Sequence, residues 1–424
     1  MDERVQYLLS LEAVRERSKI VYEAAQVGGL THFEYHPSRM DAAADYVASL
    51  IKRDFGPDRF EMIPPHGRWQ HFEVGSKPRV TKMLDEWRQA GCDEKECTRR
   101  LIDLFFVSVL LDAGAGDTWV FTEPGTGEKY SRSEGLAVAS LYMFSAGEFA
   151  NPESEVKQRV DSRGLQTLTP EKLGNGLQAS SNNEIPGVSS RAALLQALGR
   201  SLSKHPDIFG EEGRPGNLVD SLIKSSSHGI LDVKDLWTTL QLLLIPCWPK
   251  DRTNISGVAI GDAWHLSTLQ KGTDPDRSLG IQPFHKLTQW LTYSLMVPFG
   301  RVLGYKWKNT NLLTGLPEYR NGGLFVDMGV LTLKEEALAR GLKASGTALP
   351  VFEAGDDVIV EWRALTLQLL DALYQMILSR LGVDLSMAQV LEAGTWKAGR
   401  ELAAEHRPET KSSPLVISSD GTVF

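Results

Sequence analysis

Asp327 is the residue whose setting in this sequence most suggests chemistry. It lies inside the apolar run LFVDMGV, residues 324–330. A buried carboxylate is unfavourable unless a cation or hydrogen-bond donors compensate its charge. Neighbouring glycines such as Gly329 would permit a tight backbone path around it. We interpret Asp327 as a candidate catalytic carboxylate, with capping of the following helix as the structural alternative.

Lys286 is the candidate cation for that carboxylate. It stands at the start of the apolar, helix-like stretch LTQWLTYSLMVPF, where a positive charge opposes the helix dipole. A cation in that position indicates a nearby carboxylate or a bound anion. We therefore predict that Lys286 and Asp327 form an ion pair, and that Asp327→Asn abolishes activity without unfolding the protein.

A polar stretch precedes Lys286. It contains Trp264 and His265 in GDAWH, and His285 in PFHK. Such residue types commonly line a pocket for a polar small molecule. We regard all three as substrate-binding candidates. The alternative places Trp264 in the core and Asp262 at a turn or a helix N-cap.

Glu361 and Arg363 lie in a helix, predicted from Val358, whose surface is otherwise almost continuously apolar. Helices of that composition are usually buried, so both charges need partners. The two residues are two positions apart and point to different faces. Glu361 is a candidate catalytic proton donor and Arg363 a candidate phosphate ligand. A structural ion pair is the alternative for both.

Two upstream stretches add weaker candidates. HGRWQHF, residues 66–72, gathers two histidines, an arginine and a tryptophan, and Arg132 opens a helix whose backbone N–H groups could receive an anion. A purely structural role is the alternative for each. Tryptophans would exclude water from a pocket, and arginines would bind a phosphate. The remaining substrate-binding candidates are Trp69, Trp119, Arg132, Tyr319 and Arg320.

Motifs for cofactors and metals are missing from the sequence. The glycines of GAGD, residues 114–117, follow a helix and lead into a strand-like TWVF, the reverse of a dinucleotide-binding loop, so helix termination explains them. Walker A, G-x-S-x-G and H-E-x-x-H patterns do not occur. Cys92 and Cys97 have the spacing of half a zinc site, but Cys247 lies far away. We expect no cofactor and no metal.

Charge and hydropathy exclude two classes of partner. The net charge is −8 without any Lys/Arg-rich run, so we expect no nucleic acid partner. No apolar stretch reaches the roughly 18 residues that a membrane helix needs. Three cysteines suit a reducing compartment, and the charged N-terminal stretch is unlike a signal peptide, so we expect a cytoplasmic protein.

Helical spacing of apolar residues dominates the chain, and we predict a mainly α, multi-helix fold with a few short β-hairpins. Hairpins are predicted at residues 118–130, 60–74 and 414–424, the last with its turn at Asp420–Gly421. The predicted helices are Glu12–Ala25, Asp41–Arg53, Val80–Ala90, Glu96–Leu111, Ser133–Phe144, Arg191–Ser203, Asp232–Leu244, Lys286–Val297, Val358–Leu381 and Met387–Glu405.

Residues 147–190 are the least compact stretch, rich in Ser, Asn, Gly and Pro. They could form a domain linker or a long surface loop. The sequence therefore predicts either one domain over 1–424 or a split near 150–185. In the second case residues 1–150 would form a helical part, and residues 186–424 would carry the proposed site.

Several stretches resemble the uracil-catabolism protein 4 family of fungi and bacteria, a domain of unknown function. They are GRWQHFEVG from Gly67, DAGAGDTW from Asp112, YSRSEGLAVAS from Tyr130, PVFEAGDDVIVEWRALT from Pro350 and the C-terminal SSDGTVF. The resemblance covers essentially the whole chain. It implies a place in a pyrimidine-degradation route in which a uracil nucleotide is opened and a ribosylurea species and urea appear.

A shorter resemblance concerns queuosine-salvage nucleosidases, which have a helical, DNA-glycosylase-like fold. FHKLTQ (284–289), FVDMGV (325–330) and EWRA (361–364) are similar, in the same order, to three stretches of those enzymes. The resemblance implies active-site roles for Lys286 and Asp327 only. The sequence departs from those enzymes at Met328, Gly329 and Leu331, which puts a large deazapurine substrate in doubt.

These resemblances imply an N-glycosidase acting on ribosylurea or its 5′-phosphate and releasing urea. Its transition state would resemble an oxocarbenium ion, which the carboxylate of Asp327 would stabilise. Lys286 would hold that carboxylate, and His265, His285 or Glu361 would protonate the leaving nitrogen. The expected partner is thus a small ribosyl substrate. Hydrolysis of an amide or ureido bond in an opened ring, or a non-catalytic pathway partner, are the alternatives.

Overall fold

Helices account for most of the secondary structure in the computed structural model, which describes residues 2–112, 114, 118–250, 252–270 and 277–418. In chain order they are α1 Glu3–Leu8, α2 Leu11–Gln26, α3 Met40–Phe55, α4 Arg68–Phe72, α5 Arg79–Gln89, α6 Glu94–Leu110, α7 Arg132–Ser145, α8 Ser162–Gln166, α9 Pro170–Gly176, α10 Val188–Leu202, α11 Pro206–Phe209, α12 Leu218–Ser225, α13 Val233–Leu244, α14 Lys286–Arg301, α15 Tyr319–Asp327, α16 Glu335–Ser345, α17 Asp357–Leu381, α18 Met387–Val390 and α19 Trp396–His406.

The strands are two or three residues long and pair only in twos. They are β1 Phe33–Tyr35, β2 Val120–Thr122, β3 Lys129–Ser131, β4 Ile230–Asp232, β5 Asn254–Ile255, β6 Val258–Ala259, β7 Ala263–His265, β8 Ile281–Pro283, β9 Lys306–Lys308, β10 Leu331–Leu333, β11 Val351–Glu353 and β12 Val416–Ser418. The pairs β1–β10, β2–β3, β5–β6 and β7–β8 are antiparallel, whereas β4–β9 and β11–β12 are parallel. The prediction of a mainly α fold is confirmed; its likeness to DNA glycosylases stays a prediction.

Each predicted helix is present, with ends that differ by a few residues. The last one is interrupted, because a π-helical turn at Leu391–Thr395 separates α18 from α19. The predicted hairpin at residues 118–130 is confirmed as β2–β3.

Two other predicted hairpins have different outcomes. The prediction for residues 60–74 is wrong, since a 3₁₀ turn at Phe60–Met62 and helix α4 lie there; four of the five α4 residues are buried, so the apparent alternation was the inner face of a short helix. In the C-terminal stretch, β12 pairs in parallel with β11, and the predicted turn at Asp420–Gly421 lies outside the described residues.

The chain divides into two units that are discontinuous in sequence. Among the described residues, the first unit comprises those within 2–66, 249–286 and 311–418, and the second those within 67–248 and 287–310. Residues 147–190 belong to the second unit and contain α8 and α9. Whether the chain is one domain over 1–424 or splits near 150–185 stays a prediction.

Helix α17 is the centre of the first unit. Its 25 residues carry the apolar stripes that pack on α2 and α3, and most of its first half is buried. Asp356 accepts a hydrogen bond from the Val358 amide at 3.0 Å and caps its N-terminus, and Gly382 ends it in a left-handed conformation. Helices α15 and α19 form the other main contact of this unit.

The second unit is built around α6. Asp93 caps the start of this helix, and every residue from Leu101 to Leu110 is buried. Helices α4, α5, α7 and α10 pack on it.

Among the described helices, none combines the length and the apolar character that crossing a membrane requires.

Gly399 sets the approach of α19 to α15. A methyl group at this position would overlap the carbonyl oxygen of Arg320, which belongs to the backbone and cannot rotate away. We expect Gly399→Ala to lower the free energy of unfolding by about 1–3 kcal/mol, the usual effect of overpacking. Gly300→Ala is the control, because its added methyl group would meet only the Tyr305 carbonyl oxygen at 3.7 Å. Urea denaturation of both variants measures the difference, and equal stability of the two would contradict this packing argument.

Candidate functional site

Asp327 is paired with Arg407, not with Lys286. It ends α15, and Arg407 follows the end of α19, the helix that packs on α15. Arg407 donates from Nη1 to Oδ1 at 2.8 Å and from Nη2 to Oδ2 at 2.5 Å. The predicted ion pair between Lys286 and Asp327 is therefore wrong, because the packing of α15 on α19 supplies a different cation. Both carboxylate oxygens are occupied by this arginine.

Lys286 contributes to the core through its backbone. It begins α14, and its amide N–H donates to Oδ2 of Asp262 at 3.0 Å. Asp262 also accepts the indole N–H of Trp264 at 2.7 Å and two bonds from Arg363, each at 2.8 Å. A single buried carboxylate thus collects three segments of the first unit.

The Asp262–Arg363 pair is almost fully buried, with side-chain exposures of 7% and 2%. Burial alone would raise the pKa of Asp262, but the Arg363 charge and the converging hydrogen bonds hold that pKa below its usual range. Arg363 further donates from Nε to the Pro317 carbonyl and lies 3.9 Å from the centroid of the Phe284 ring. This geometry argues against the predicted phosphate contact by Arg363.

Glu361 is fully buried and accepts from four donors. The backbone amides of Thr31, His32 and Phe33 donate to it at 2.9, 2.8 and 3.1 Å, and the Thr268 hydroxyl donates at 2.6 Å. A carboxylate that satisfies three consecutive amides fixes the backbone entering β1. The predicted need for partners is confirmed, and the partners found are structural rather than catalytic.

The other candidates of the first unit also serve the core or the surface. His285 is buried and its Nε2 bonds the Leu8 carbonyl at 2.7 Å; burial lowers the pKa of His285. His265 is exposed at the end of β7. Arg320 stacks on Tyr319 at 4.9 Å and donates to the Lys411 carbonyl at 2.9 Å. None of these contacts joins them to Asp327.

In the second unit, Arg68 is a fully buried guanidinium that connects several elements. Its Nε donates to the Ser108 hydroxyl at 2.8 Å and its Nη2 to the Ser108 carbonyl at 3.0 Å. Its Nη1 reaches Asp112 Oδ2 at 2.7 Å and His71 Nδ1 at 3.2 Å. Burial lowers the pKa of Arg68, and the charges of Asp112 and Glu134 oppose that shift. We call Arg68, His71, Asp112 and Glu134 the Arg68 centre.

Asp112 occupies an electrostatically unusual place within this centre. It lies two residues beyond the end of α6, next to the C-cap Leu111, and acidic residues at the C-terminal end of a helix are opposed by the helix dipole. Arg68 compensates its charge from one side. Arg191 adds a second buried cation, since its Nε donates to the Leu111 carbonyl at 3.1 Å and its Nη2 to the Gly114 carbonyl at 2.6 Å. Burial lowers the pKa of Arg191 to about 10.

The Arg68 centre has a defined histidine tautomer. Because Arg68 can only donate, Nδ1 of His71 accepts, and the neutral ring carries its proton on Nε2. The ring lies 5.5 Å from that of Trp290 in α14. Asp112 and His71 bond the same nitrogen, so a carboxylate and an imidazole lie within roughly 6 Å of each other.

The stretch YSRSEGLAVAS, which begins at Tyr130, reaches the Arg68 centre through α7. The Ser140 hydroxyl donates to that of Ser108 at 2.7 Å, and Glu134 lies in the first turn of α7. Arg132 begins this helix with a left-handed backbone, φ 53°, and its side chain is half-buried. The stretches from Gly67, Asp112 and Tyr130 therefore meet around one guanidinium.

The chain is similar to proteins of one family over nearly its whole length. The family model described as Protein of unknown function (DUF1688) matches residues 7–424. The chain belongs to this family. It is 46% identical to "Uracil catabolism protein 4" of Lachancea kluyveri, across the whole of both chains. It is 47% identical to "Protein urg3" of Schizosaccharomyces pombe (strain 972 / ATCC 24843), across the whole of this chain and 99% of the relative.

Family membership confirms the resemblance drawn from the quoted stretches. The similarity to queuosine-salvage nucleosidases stays a prediction. Among the described residues no group of three or more His, Cys, Asp or Glu is arranged to hold a metal ion.

Trp69 and Trp119 differ in one respect that bears on ligand binding. Trp119 is fully buried and donates its indole N–H to the Leu177 carbonyl at 2.9 Å. Trp69, 5% exposed, packs edge-on against Phe105 and lies under Arg301 at 4.7 Å, yet its buried N–H has no acceptor in the described chain. An unsatisfied buried donor is costly, about 1–3 kcal/mol, so this N–H requires an acceptor beyond the described residues.

The stretch HGRWQHF, which contains Arg68 and His71, was a weaker candidate in the sequence, but only Trp69 was named from it, and Asp112 and Glu134 were not named as site residues. A signal existed for Asp112, which follows the end of a long apolar helix where an acidic residue opposes the dipole. The signal for Arg68 and His71 was their clustering in HGRWQHF, but their shared face was not predictable because residues 60–74 were interpreted as a strand pair and α4 lies there.

His32 provides a pH-dependent contact in the first unit. Its Nε2 lies 2.9 Å from Asp357 Oδ2, and this hydrogen bond raises the pKa of His32 although burial opposes the shift. The contribution to stability is thus full below the unfolded pKa of about 6.5 and is lost as pH rises through the higher folded value.

We expect the melting-temperature difference between wild type and His32→Gln to be larger at about pH 6 than at about pH 9. His228→Gln is the control, since His228 is exposed and makes no ion pair in the described chain. Thermal melts across this range measure the effect. A difference that stayed constant with pH, or that grew towards pH 9, would contradict the assignment.

Proposed function

We propose that this protein acts in uracil catabolism by hydrolysing the N-ribosyl bond of ribosylurea or its 5′-phosphate, and that the Arg68 centre is its active site. The name of its full-length relative from Lachancea kluyveri supports the role in uracil catabolism. The observation that carries the site is Asp112, a carboxylate held against a helix C-terminus by a buried arginine that also binds His71.

Asp112 is suited to the carboxylate role of this reaction. N-ribosyl hydrolysis develops positive charge at the sugar C1, and a nearby carboxylate stabilises it and orients water. Arg68 binds Asp112 through a single nitrogen that it shares with His71, whereas Arg407 binds Asp327 through two nitrogens. Glu134 offers a second carboxylate beside the same guanidinium.

His71 is suited to assist the leaving group. Negative charge develops on the urea as it leaves, and a hydrogen bond from the neutral Nε2–H would stabilise it, while the ureido nitrogen takes up the proton that the attacking water loses to Asp112. The tautomer that Arg68 selects puts the neutral proton on Nε2. Arg68 acts as a positioning residue, because one Nη1 group fixes both side chains.

The protein's own side chains supply all the groups that this mechanism uses, and no step calls for a cofactor. Trp69 would donate its N–H to an oxygen of the substrate, and Arg132 would meet a substrate phosphate. The three cysteines form no disulfide, which agrees with a reaction in the reducing cytoplasm.

We expect Asp112→Asn to reduce urea release by about 10²–10³-fold, the usual effect of losing a preorganised electrostatic group. Asp327→Asn is the matched control, because each substitution removes a carboxylate from an ion pair with a largely buried arginine. Both variants should melt at lower temperature, but only Asp112→Asn should lose turnover. The assay uses synthetic ribosylurea and its 5′-phosphate.

A third variant, His71→Gln, tests the same site without removing a charge partner of Arg68. It should lower kcat more than it raises KM.

Loss of turnover in Asp327→Asn with retention in Asp112→Asn would move the active site to the first unit. If the wild-type protein releases no urea from either compound, the hydrolase proposal falls; ureido-bond hydrolysis or a partner role then comes forward.

We expect Trp69→Phe to lower kcat/KM about three- to tenfold, the value of one neutral hydrogen bond. Phenylalanine keeps an aromatic ring and removes only the indole N–H and some volume. Trp119→Phe is the control for lost volume; it also removes a hydrogen bond within the protein and should therefore reduce stability more than Trp69→Phe. Unchanged kinetics in Trp69→Phe would take this residue out of substrate binding.

A further inference from the structure

A surface cavity of about 260 Å³ lies in the second unit where α10 ends, beside the turn at Ile245–Cys247. It is large enough for a phosphate group with a small attached metabolite. Its lining contains two cations and no carboxylate; the residues are Ala197, Arg200, Ser201, Ser203, Lys204 and Pro246.

Arg200 and Lys204 have no side-chain partner in the described part of the chain. No hydrogen bond or ion pair joins either cation to a carboxylate there, whereas Arg99 and Arg159 of the same unit are paired with acids. A shortage of acidic residues does not explain why Arg200 and Lys204 lack an ion pair, since the protein has 54 Asp and Glu against 46 Lys and Arg. Two uncompensated cations therefore face one cavity of an acidic protein.

The two hydroxyl groups that line the cavity already donate their hydrogen bonds within the protein. Ser201 donates to the Leu243 carbonyl at 2.7 Å, and Ser203 donates to the Arg200 carbonyl at 3.0 Å. The remaining strong donors are the guanidinium fork of Arg200 and the ammonium group of Lys204. A planar fork beside a point charge is the combination that binds phosphoryl oxygens.

We propose that this cavity is a binding site for a phosphoryl oxyanion, carried by a small phosphorylated metabolite. The site is separate from the Arg68 centre. Arg200 lies nine residues beyond Arg191 on α10, which is about 13 Å along the helix axis. The proposal therefore does not depend on the hydrolase reaction.

The dipole of α10 offers a different explanation for the position of both cations. Arg200 lies in the last turn of α10 and Lys204 just beyond it, where positive charge is favourable without any ligand. Two other exposed lysines serve as controls for that effect. Lys224 and Lys343 lie in the last turns of α12 and α16, make no ion pair in the described chain and line no described cavity.

The test is isothermal titration calorimetry with inorganic phosphate at low ionic strength. It compares wild type, the double variant Arg200→Gln/Lys204→Gln and the control double variant Lys224→Gln/Lys343→Gln. We expect saturable binding in wild type and in the control, and at least a tenfold weaker affinity in the cavity variant. Urea release should change by less than about twofold in the cavity variant, since neither residue belongs to the Arg68 centre.

A crystal soaked in phosphate gives a second readout. Density within hydrogen-bonding distance of both Arg200 and Lys204 supports the site. Equal phosphate affinity in wild type and the cavity variant, an equal loss in the control, or no saturable binding in wild type would each overturn the proposal. In the first two results the cations would act only through diffuse charge or through the helix dipole.

Discussion

The ion pair between Arg68 and Asp112 is the interaction on which the second unit depends. A guanidinium with no exposed surface is costly to bury and is tolerated only when nearly every N–H has an acceptor. Arg68 meets this requirement by bonding Ser108, His71 and Asp112 at once. The short helix α4 must therefore pack on α6 next to Ser108, and the residues that follow α6 must lie beside Arg68. The same constraint brings a carboxylate and an imidazole together.

Buried arginines also organise the first unit, with a different outcome. Arg363 and Arg407 each clasp both oxygens of one aspartate, Asp262 and Asp327 respectively. Such closed pairs specify which segments meet, but they leave the carboxylate little capacity for a substrate. Arg68 divides its donors among three residues instead. In the proposed function Asp112, which shares its arginine with His71, carries the chemistry, and Asp262 and Asp327 hold segments of the first unit together.

Local patterns in the sequence predicted the helices well, because apolar spacing is a property of a short window. Long-range pairing was not predictable in this way. Phe33 in β1 pairs with Leu333 in β10, 300 residues later, and Arg407 is 80 residues from Asp327. A single sequence shows that Asp327 needs a cation but does not show which of 46 cations reaches it. The family-like stretches include the segments that form the Arg68 centre, although the residues named within them were mostly others.

Crystallography of the wild-type protein soaked with ribose 5-phosphate, a product of the proposed reaction, tests the central claim most directly. The account predicts density for the sugar with its C1 beside Asp112 and within hydrogen-bonding reach of His71. It also predicts an Asp327–Arg407 pair unchanged from the unsoaked crystal. Sugar density beside Asp327, with Arg407 displaced, would contradict the assignment of the active site to the Arg68 centre.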